Sequence, residues 1–337
     1  MKEHKKDLID GITIAGSIVI DNNKYINSYP KEGTLINILE IEKSFGGCVS
    51  NTATNLSLID PKTNIHVAGV LGNDSDGIKA INFLKEYNLN VDQVLINENY
   101  HTAEVDVYIN QVSNTRTFFA NLAVNNEFGK QKIKCETKYL HLGYILLMPY
   151  LDEIIDGKPR VLNWLKEFHQ QGIKISIDLV TDEGNRYKEV VIPILKYVNY
   201  LIINEIEASR ITGINIFKEG KLQVDALKEA ALKLKELGVI DLVIIHAPSL
   251  GLIYDGKKLE IIYSLNLPKE FIKSSVGAGD GFCAGALYGI MNNYNYKETL
   301  KVASTVAAGV LNSNTPQAKI KGLKNFLNLE NQFGRKK

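Results

Sequence analysis

The sequence predicts an α/β protein: a doubly wound, mostly parallel sheet flanked by helices, with a small β-sheet lid. Three observations carry that expectation. Short apolar, β-branched runs recur along the chain, segments with helical spacing lie between them, and two stretches break the alternation.

The runs at 12–20, 65–71, 139–147, 173–180, 200–203 and 241–245 are short, apolar and rich in β-branched residues, and read as buried strands. Apolar positions recurring every three or four residues predict helices at 78–87, 161–170 and 224–237. Residues 21–38 follow the first strand without helical spacing, and 103–123 reads as two strand-like runs around Val112-Ser113-Asn114. Both are assigned to the lid, which leaves 1–20, 39–102 and 124–330 to the α/β domain. Asp255-Gly256 marks a further hairpin with a two-residue connection between 251–254 and 259–263, at one edge of the sheet. Residues 331–337, ending Gly-Arg-Lys-Lys, read as a solvated tail.

Composition narrows the function classes. With 45% apolar and 23% charged residues, the chain of 337 residues has enough apolar side chains for a full core. A net charge of +1, from 39 basic and 38 acidic side chains, gives no global field to attract nucleic acid or an anionic membrane. An anion must therefore be held by local geometry. Cys48, Cys135 and Cys283 are few, odd in number and far apart, which suggests neither a disulfide framework nor a structural zinc site. No apolar run approaches the roughly 20 residues of a membrane span, and no signal-peptide core follows the charged start. The expectation is a soluble cytoplasmic protein.

The stretch richest in chemistry is Ser274-Ser275-Val276-Gly277-Ala278-Gly279-Asp280-Gly281-Phe282, which opens a small-residue helix. Gly277, Ala278 and Gly279 leave backbone N–H groups uncovered at a helix start, where the donors lack intrahelical partners and the helix dipole adds positive charge. A phosphate can sit on such a turn. Asp280 lies in the first turn, where the dipole favours its ionised form and makes it a weak base that is always available. Weakness suffices for phosphoryl transfer, in which the attacking hydroxyl loses its proton late. The competing reading is packing alone: Gly281, Gly285 and Gly289 form a smooth helix face. No Walker-type phosphate loop is present, and Phe282 breaks the dinucleotide-binding glycine pattern.

The turn resembles the second signature, Asp-Thr-x-Gly-Ala-Gly-Asp, of the ribokinase-like (PfkB) carbohydrate kinase family. Gly16 and Asp21 resemble the family's opening Gly-x-x-x-x-Asp, and Gly46-Gly47 with Asn51 resembles its first signature, where backbone and amide bind sugar hydroxyls. Leu71-Gly72-Asn73-Asp74 with Gly77 is similar to another family turn. Asn204-Glu205-Ile206-Glu207 is similar to the family's Asn-x-x-Glu, which implies a role in positioning magnesium and phosphates. Arg116-Thr117-Phe118-Phe119 resembles a lid segment of family sugar kinases, and Asn125 stands where relatives carry Gly-Ala-Asn, here Ala123-Val124-Asn125. The resemblance runs from about residue 11 to residue 314.

There are departures. Ser274 replaces an Asp that in relatives helps hold a monovalent cation, which puts potassium activation in question; Ser275 keeps the hydroxyl of the usual Thr. His246-Ala247-Pro248-Ser249-Leu250-Gly251 stands where relatives carry Thr-x-Gly-x-x-Gly, so Pro248 fixes backbone where Gly is free. His246 itself reads as structural, and Ser304 lies near the family's adenine-side Asn.

The resemblance implies an ATP- and Mg2+-dependent sugar kinase. Asp280 is the expected base, with Gly277, Ala278 and Gly279 as anion hole. Asp21, Gly46, Gly47, Asn51 and Arg116 are expected to bind the sugar. Asn204, Ser275, Gly251 and Gly279 are expected at the nucleotide, and Glu207 at the metal through water. Partners are a small-molecule sugar and, because two exposed lid edges invite pairing, a second subunit. A nucleoside kinase of the same fold and a sugar-sensing protein with a degenerate site remain the rival readings.

Overall fold

The computed structural model describes residues 8–113, 115–184 and 186–336. Residues 1–7, Asn114 of the expected lid turn and Lys337 of the expected tail lie outside them. In chain order the strands are β1 (Ile9–Ala15), β2 (Val19–Ile26), β3 (Glu40–Gly46), β4 (Ile65–Gly72), β5 (Asn90–Asn97), β6 (Glu104–Asn110), β7 (Thr115–Asn121), β8 (Thr137–Ile145), β9 (Lys174–Leu179), β10 (Tyr200–Asn204), β11 (Leu242–His246), β12 (Leu250–Tyr254) and β13 (Leu259–Tyr263). The principal helices are α1 (Gly47–Ile59), α2 (Ser75–Glu86), α3 (Val161–Gln170), α4 (Glu205–Thr212), α5 (Val224–Glu236), α6 (Ala278–Met291), α7 (Tyr296–Leu311) and α8 (Leu323–Phe333).

The main sheet runs β13-β12-β11-β10-β9-β8-β1-β4-β5. Neighbours from β11 to β5 pair in parallel, and only the β11-β12-β13 edge is antiparallel. From β1 the chain steps outward through β4 to β5, then returns to the other side of β1 at β8. Strand order therefore reverses between β1 and β8, and the crevice outside their carboxyl ends is where open α/β sheets bind ligands. Both faces are covered. Ile12 and Ile14 pack with α1, α6 and α7 on one side; Leu140, Leu142 and Ile175 pack with α3 and α5 on the other. This double burial explains why the strands read as apolar runs.

The run expected as one strand at 12–20 is two. Gly16 takes φ +142°, and a Cβ there would meet the Gly143 carbonyl oxygen at 2.7 Å, so the chain turns out of the main sheet into β2. There β3-β2-β6-β7 form the small sheet, antiparallel except for the parallel β2-β6 pair. The expected lid segment 21–38 stops short of β3, whose exposed charged residues Glu40, Glu42 and Lys43 belong to a solvated return strand. Asp74, the N-cap of α2, accepts from Thr102 N and Thr102 Oγ1 (2.7 and 2.8 Å) and so fixes the chain just before β6.

Two further expectations are corrected. The β12-β13 connection spans four residues rather than two, because Asp255 Oδ1 accepts from the N–H groups of both Lys257 and Lys258. The segment expected as a solvated tail completes α8 and then docks. Arg335 makes a paired contact to Glu330 (2.8 and 3.0 Å) and bridges to Leu265, giving the chain end a place on the protein surface. No helix among the described residues is long and apolar enough to cross a membrane.

Candidate active site

The turn that opens α6 is shaped by glycine. Gly277 has φ +76°, and a Cβ on it would lie 2.6 Å from Pro316. Only glycine fits both the left-handed backbone and the close approach. Ala278 N–H turns back to Ser275 O (3.3 Å) and Gly281 N–H bonds to Gly277 O (2.8 Å). The N–H groups of Gly279 and Asp280 between them point out of the helix start, which suits an anion. The glycine face of α6 packs as well: Cβ atoms at Gly281 and Gly285 would meet α7 at 2.7 and 2.6 Å. Packing and anion geometry are thus served by one glycine series.

Asp280 is 7% exposed. Its Oδ2 accepts hydrogen bonds from Asn51 Nδ2 and from the Tyr144 hydroxyl, both at 3.0 Å. Asn51 is itself held through Oδ1 by Gln317 Nε2 (3.2 Å). Tyr144 sits just before the carboxyl end of β8 with φ 59°, its N–H bonded to Asp178. Burial, reinforced by the negative charge of Asp178, pushes the Asp280 carboxyl from 3.8 up to about 7, against the pull of its two hydrogen bonds. This corrects the expectation of an always-ionised weak base: desolvation outweighs the helix dipole, and the group titrates near neutrality. Burial and the same carboxylates push the Tyr144 phenol well up, so it remains a donor.

The turn separates two cavities. One, of about 490 Å³, lies under the lid and is lined by Ser274 and Val276 of the turn, by Asp21, Gly47 and Asn51, and by Arg116 and Phe118 of β7. Its Asp21 carboxyl is pushed up to about 6 by burial. Arg116 reaches out of the lid, and its Nη2 donates to Ser274 Oγ at 3.2 Å. Phe119, the next residue but one after Thr117, turns away and packs edge-on against Tyr108.

The other cavity, of about 520 Å³, lies beside α7 and is lined by Ser275, Ala278 and Gly279 of the turn, with Asn204, Glu205, His246 and Ser304. Phe282 and Leu311 contribute apolar surface to it. His246 tilts over Phe282, with ring centroids 5.0 Å apart, and burial lowers its pKa to about 4, so it is neutral here. It faces the cavity although sequence reasoning gave it a purely structural place.

Of the expected site residues, Asp21, Gly47, Asn51, Arg116, Asn204, Ser275, Ala278 and Gly279 line one cavity or the other; Gly277 and Asp280 belong to the turn between them, and Gly46, Gly251 and Glu207 lie elsewhere. Gly251 is buried in β12, where a Cβ would meet the Phe282 ring at 2.9 Å, so it makes room for a cavity wall without being one. Gly46 lies behind Asp21, whose carboxylate would be 2.3 Å from a Cβ at that position. Glu207 is 3% exposed and committed to a reciprocal cap of α4 with Asn204, plus a hydrogen bond from Thr181 Oγ1 at 2.9 Å. Burial pushes its carboxyl up to about 7. The cavity is faced instead by Glu205, two residues earlier. Asn125 is buried and lines neither cavity.

Sequence reasoning missed Tyr144, Gln317 and Lys336. Tyr144 carried a usable signal, a polar aromatic following Gly143 near the end of a strand at the order reversal; the others carried none. The fold also gathers His141, Asp178 and Cys283 so that their ligand atoms lie within 4.8 Å. His141 Nδ1 pairs with Ser176 Oγ at 3.1 Å, and burial pushes the Cys283 thiol well up, which keeps it protonated. This buried cluster, invisible in sequence spacing, joins β8, β9 and α6 behind Asp280.

A model of the pfkB family carbohydrate kinases matches residues 11–321. The nucleoside kinase of Methanocaldococcus jannaschii is 22% identical over 305 residues, covering 90% of this chain and 91% of that protein. The ribokinase of Dictyostelium discoideum is 22% identical over 307 residues, covering 89% and 93%. Among solved structures, Arabidopsis thaliana ribokinase complexed with ribose and ATP superimposes with a TM-score of 0.77 at 19% identity, covering 96% of this chain and 99% of that one.

Proposed function

This chain belongs to the pfkB family of carbohydrate kinases, and from that premise we propose that it moves the γ-phosphoryl group of ATP onto a hydroxyl of a sugar held under the lid, with Asp280 accepting the proton. The observation that carries this reading is the shared turn: Ser274 and Val276 face one cavity, Ser275 and Gly279 face the other, and Asp280 follows directly. A donor and an acceptor seated in the two cavities meet at that turn.

The geometry supports the following roles. Asp21 accepts hydrogen bonds from neighbouring hydroxyls of the acceptor, while Asn51 and Tyr144 hold the Asp280 carboxylate by the oxygen they share. The second oxygen of Asp280 is left for the attacking hydroxyl. The N–H groups of Gly279 and Asp280 stabilise charge on the transferring phosphoryl group. Arg116, already bonded to Ser274, carries a positive charge from the lid to the mouth of the turn.

The residues fit a divalent cation arriving with the nucleotide. Glu205 faces the cavity and Glu207 lies behind it, both with raised pKa from burial, so a nearby dication would restore their charge. Asn204 and these two carboxylates would hold Mg2+ through water, and Mg2+ would neutralise charge on the β- and γ-phosphates.

A nucleoside acceptor is the second reading. Val105, Val107 and Ile109 of β6, with Phe118 of β7, make one half of the lid's inner face apolar. A base would cover that half while its ribose met Asp21. The test is ADP release from ATP and Mg2+ across free pentoses, hexoses, sugar acids and nucleosides, with and without potassium. Turnover on one class is the expected result and names the acceptor; binding of sugar with no turnover on any class would leave a sensor instead.

A further inference from the structure

The chain end was expected to be solvent, and it is built into a wall of the cavity beside α7. Three contacts place it there. Arg335 bonds in pairs to Glu330 of α8 and donates to the Tyr263 carbonyl (2.7 Å) and to Ser304 Oγ of α7 (3.0 Å). One guanidinium thus ties together the β12-β13 hairpin, α7 and α8. The backbone follows the same line: Asn266 N–H bonds to Gly334 O at 3.0 Å, and Lys336 N–H to Ser264 O at 2.9 Å. Arg335 is only 15% exposed, so the anchor is shielded from water.

That anchoring aims Lys336. Its side chain lines the cavity beside Pro248, Ser264 and Leu265, and its Nζ donates to the Pro248 carbonyl at 3.3 Å. A contact of that length is weak and leaves the ammonium free to exchange it for a better acceptor. Lys336 is the only lysine or arginine lining this cavity among the described residues, and His246 there is neutral. With a net charge of +1 over the whole chain, nothing else in the wall offers a polyanion a full positive charge.

We propose that Gly334–Lys336 forms part of the nucleotide site and that Lys336 is an affinity residue for the bound nucleoside triphosphate. The inference rests on assigning this cavity to ATP. Lys336 positions and attracts the nucleotide and takes no part in the proton transfer at Asp280. Removing its charge weakens nucleotide binding and leaves the acceptor untouched.

The test is an equilibrium titration of the full chain with ATP, which needs no acceptor, together with KM values once one is known. Lys336→Ala is expected to weaken ATP binding about 3- to 10-fold, the range for one partly exposed charge. Lys336→Glu should weaken it further, Lys336→Arg should restore most of it, and the acceptor KM and Tm should hold steady in all three. Wild-type protein that binds ATP as tightly as both Lys336→Ala and Lys336→Glu, within twofold, would overturn the inference and leave the kinase reading standing. Wild-type protein that binds no ATP at all would overturn both.

Discussion

The cavity under the lid and the cavity beside α7 are similar in size, about 490 and 520 Å³, and differ in how they are made. The first is assembled from two bodies: β2, β6 and β7 of the small sheet close over α1 and the turn before α6. Its polar lining includes Asp21, Asn51 and Ser274, and Arg116 reaches the turn across the gap. The second lies between the core and the C-terminal helices: Phe282 belongs to the layer packed on the sheet, and Ala308 to a small cluster with Leu265 and Leu329. On the proposed reading, hydrogen bonding would select the ligand in the first cavity, and apolar burial with the Lys336 charge would set affinity in the second. A substitution in the first should alter acceptor choice at little cost in stability; one in the second should disturb both.

The sharpest way to break this contrast is at the junction. Asp280→Asn keeps size and one acceptor oxygen, so both ligands should still bind, while turnover falls by about 10² to 10⁴-fold, the usual contribution of a positioned base. Retained turnover would remove Asp280 from the reaction.

Next in size is Asp21→Asn. Losing hydrogen bonds to a charged acceptor costs about 1.5–3 kcal/mol each, so the acceptor KM should rise about 10- to 100-fold with the ATP KM within twofold. Equal rises in both KM values would erase the division between the two cavities.

The smallest effect is a pH slope. With the Asp280 carboxyl at about 7, turnover should rise about tenfold per pH unit below that value and level off above it. Stability runs the other way. A carboxyl raised from 3.8 in the unfolded chain to about 7 in the folded one contributes stability below pH 4 that is lost as pH rises through 7. Thermal unfolding of wild type should therefore lose ground to Asp280→Asn between pH 4 and 7. Parallel curves would mean that the group titrates alike folded and unfolded.

How far the sequence revealed this arrangement depended on how local each feature is. The parallel sheet was legible because both faces are buried and most strand positions are apolar. The turn at 274–280 was legible because its glycines and acid are contiguous. The break at Gly16 was not, because Ile12 to Ile20 is rich in β-branched residues on both sides of Gly16-Ser17, and the steric demand that forces the turn comes from Gly143, far along the chain. The same distance hid Tyr144 and Gln317, each joined to its partner by contacts that cross more than a hundred residues. Glu207 carries a second, local reading in the same motif: Asn-x-x-Glu is also a helix-capping pattern, and in the fold the side chain caps α4. Arg335 and Lys336 looked solvated because nothing before them in the sequence announces a dock for an ion-paired chain end.

The two-sided turn has a consequence for regulation. Ser274 and Val276 line one cavity and Ser275, Ala278 and Gly279 the other, so on the proposed reading a ligand that shifted this segment would change what the other meets. Such coupling is reciprocal by necessity: the factor by which an acceptor alters nucleotide affinity is the factor by which the nucleotide alters acceptor affinity. A cell holding nucleotide at saturation would thereby fix, through Ser274 to Gly279, the concentration at which the scarcer partner is captured.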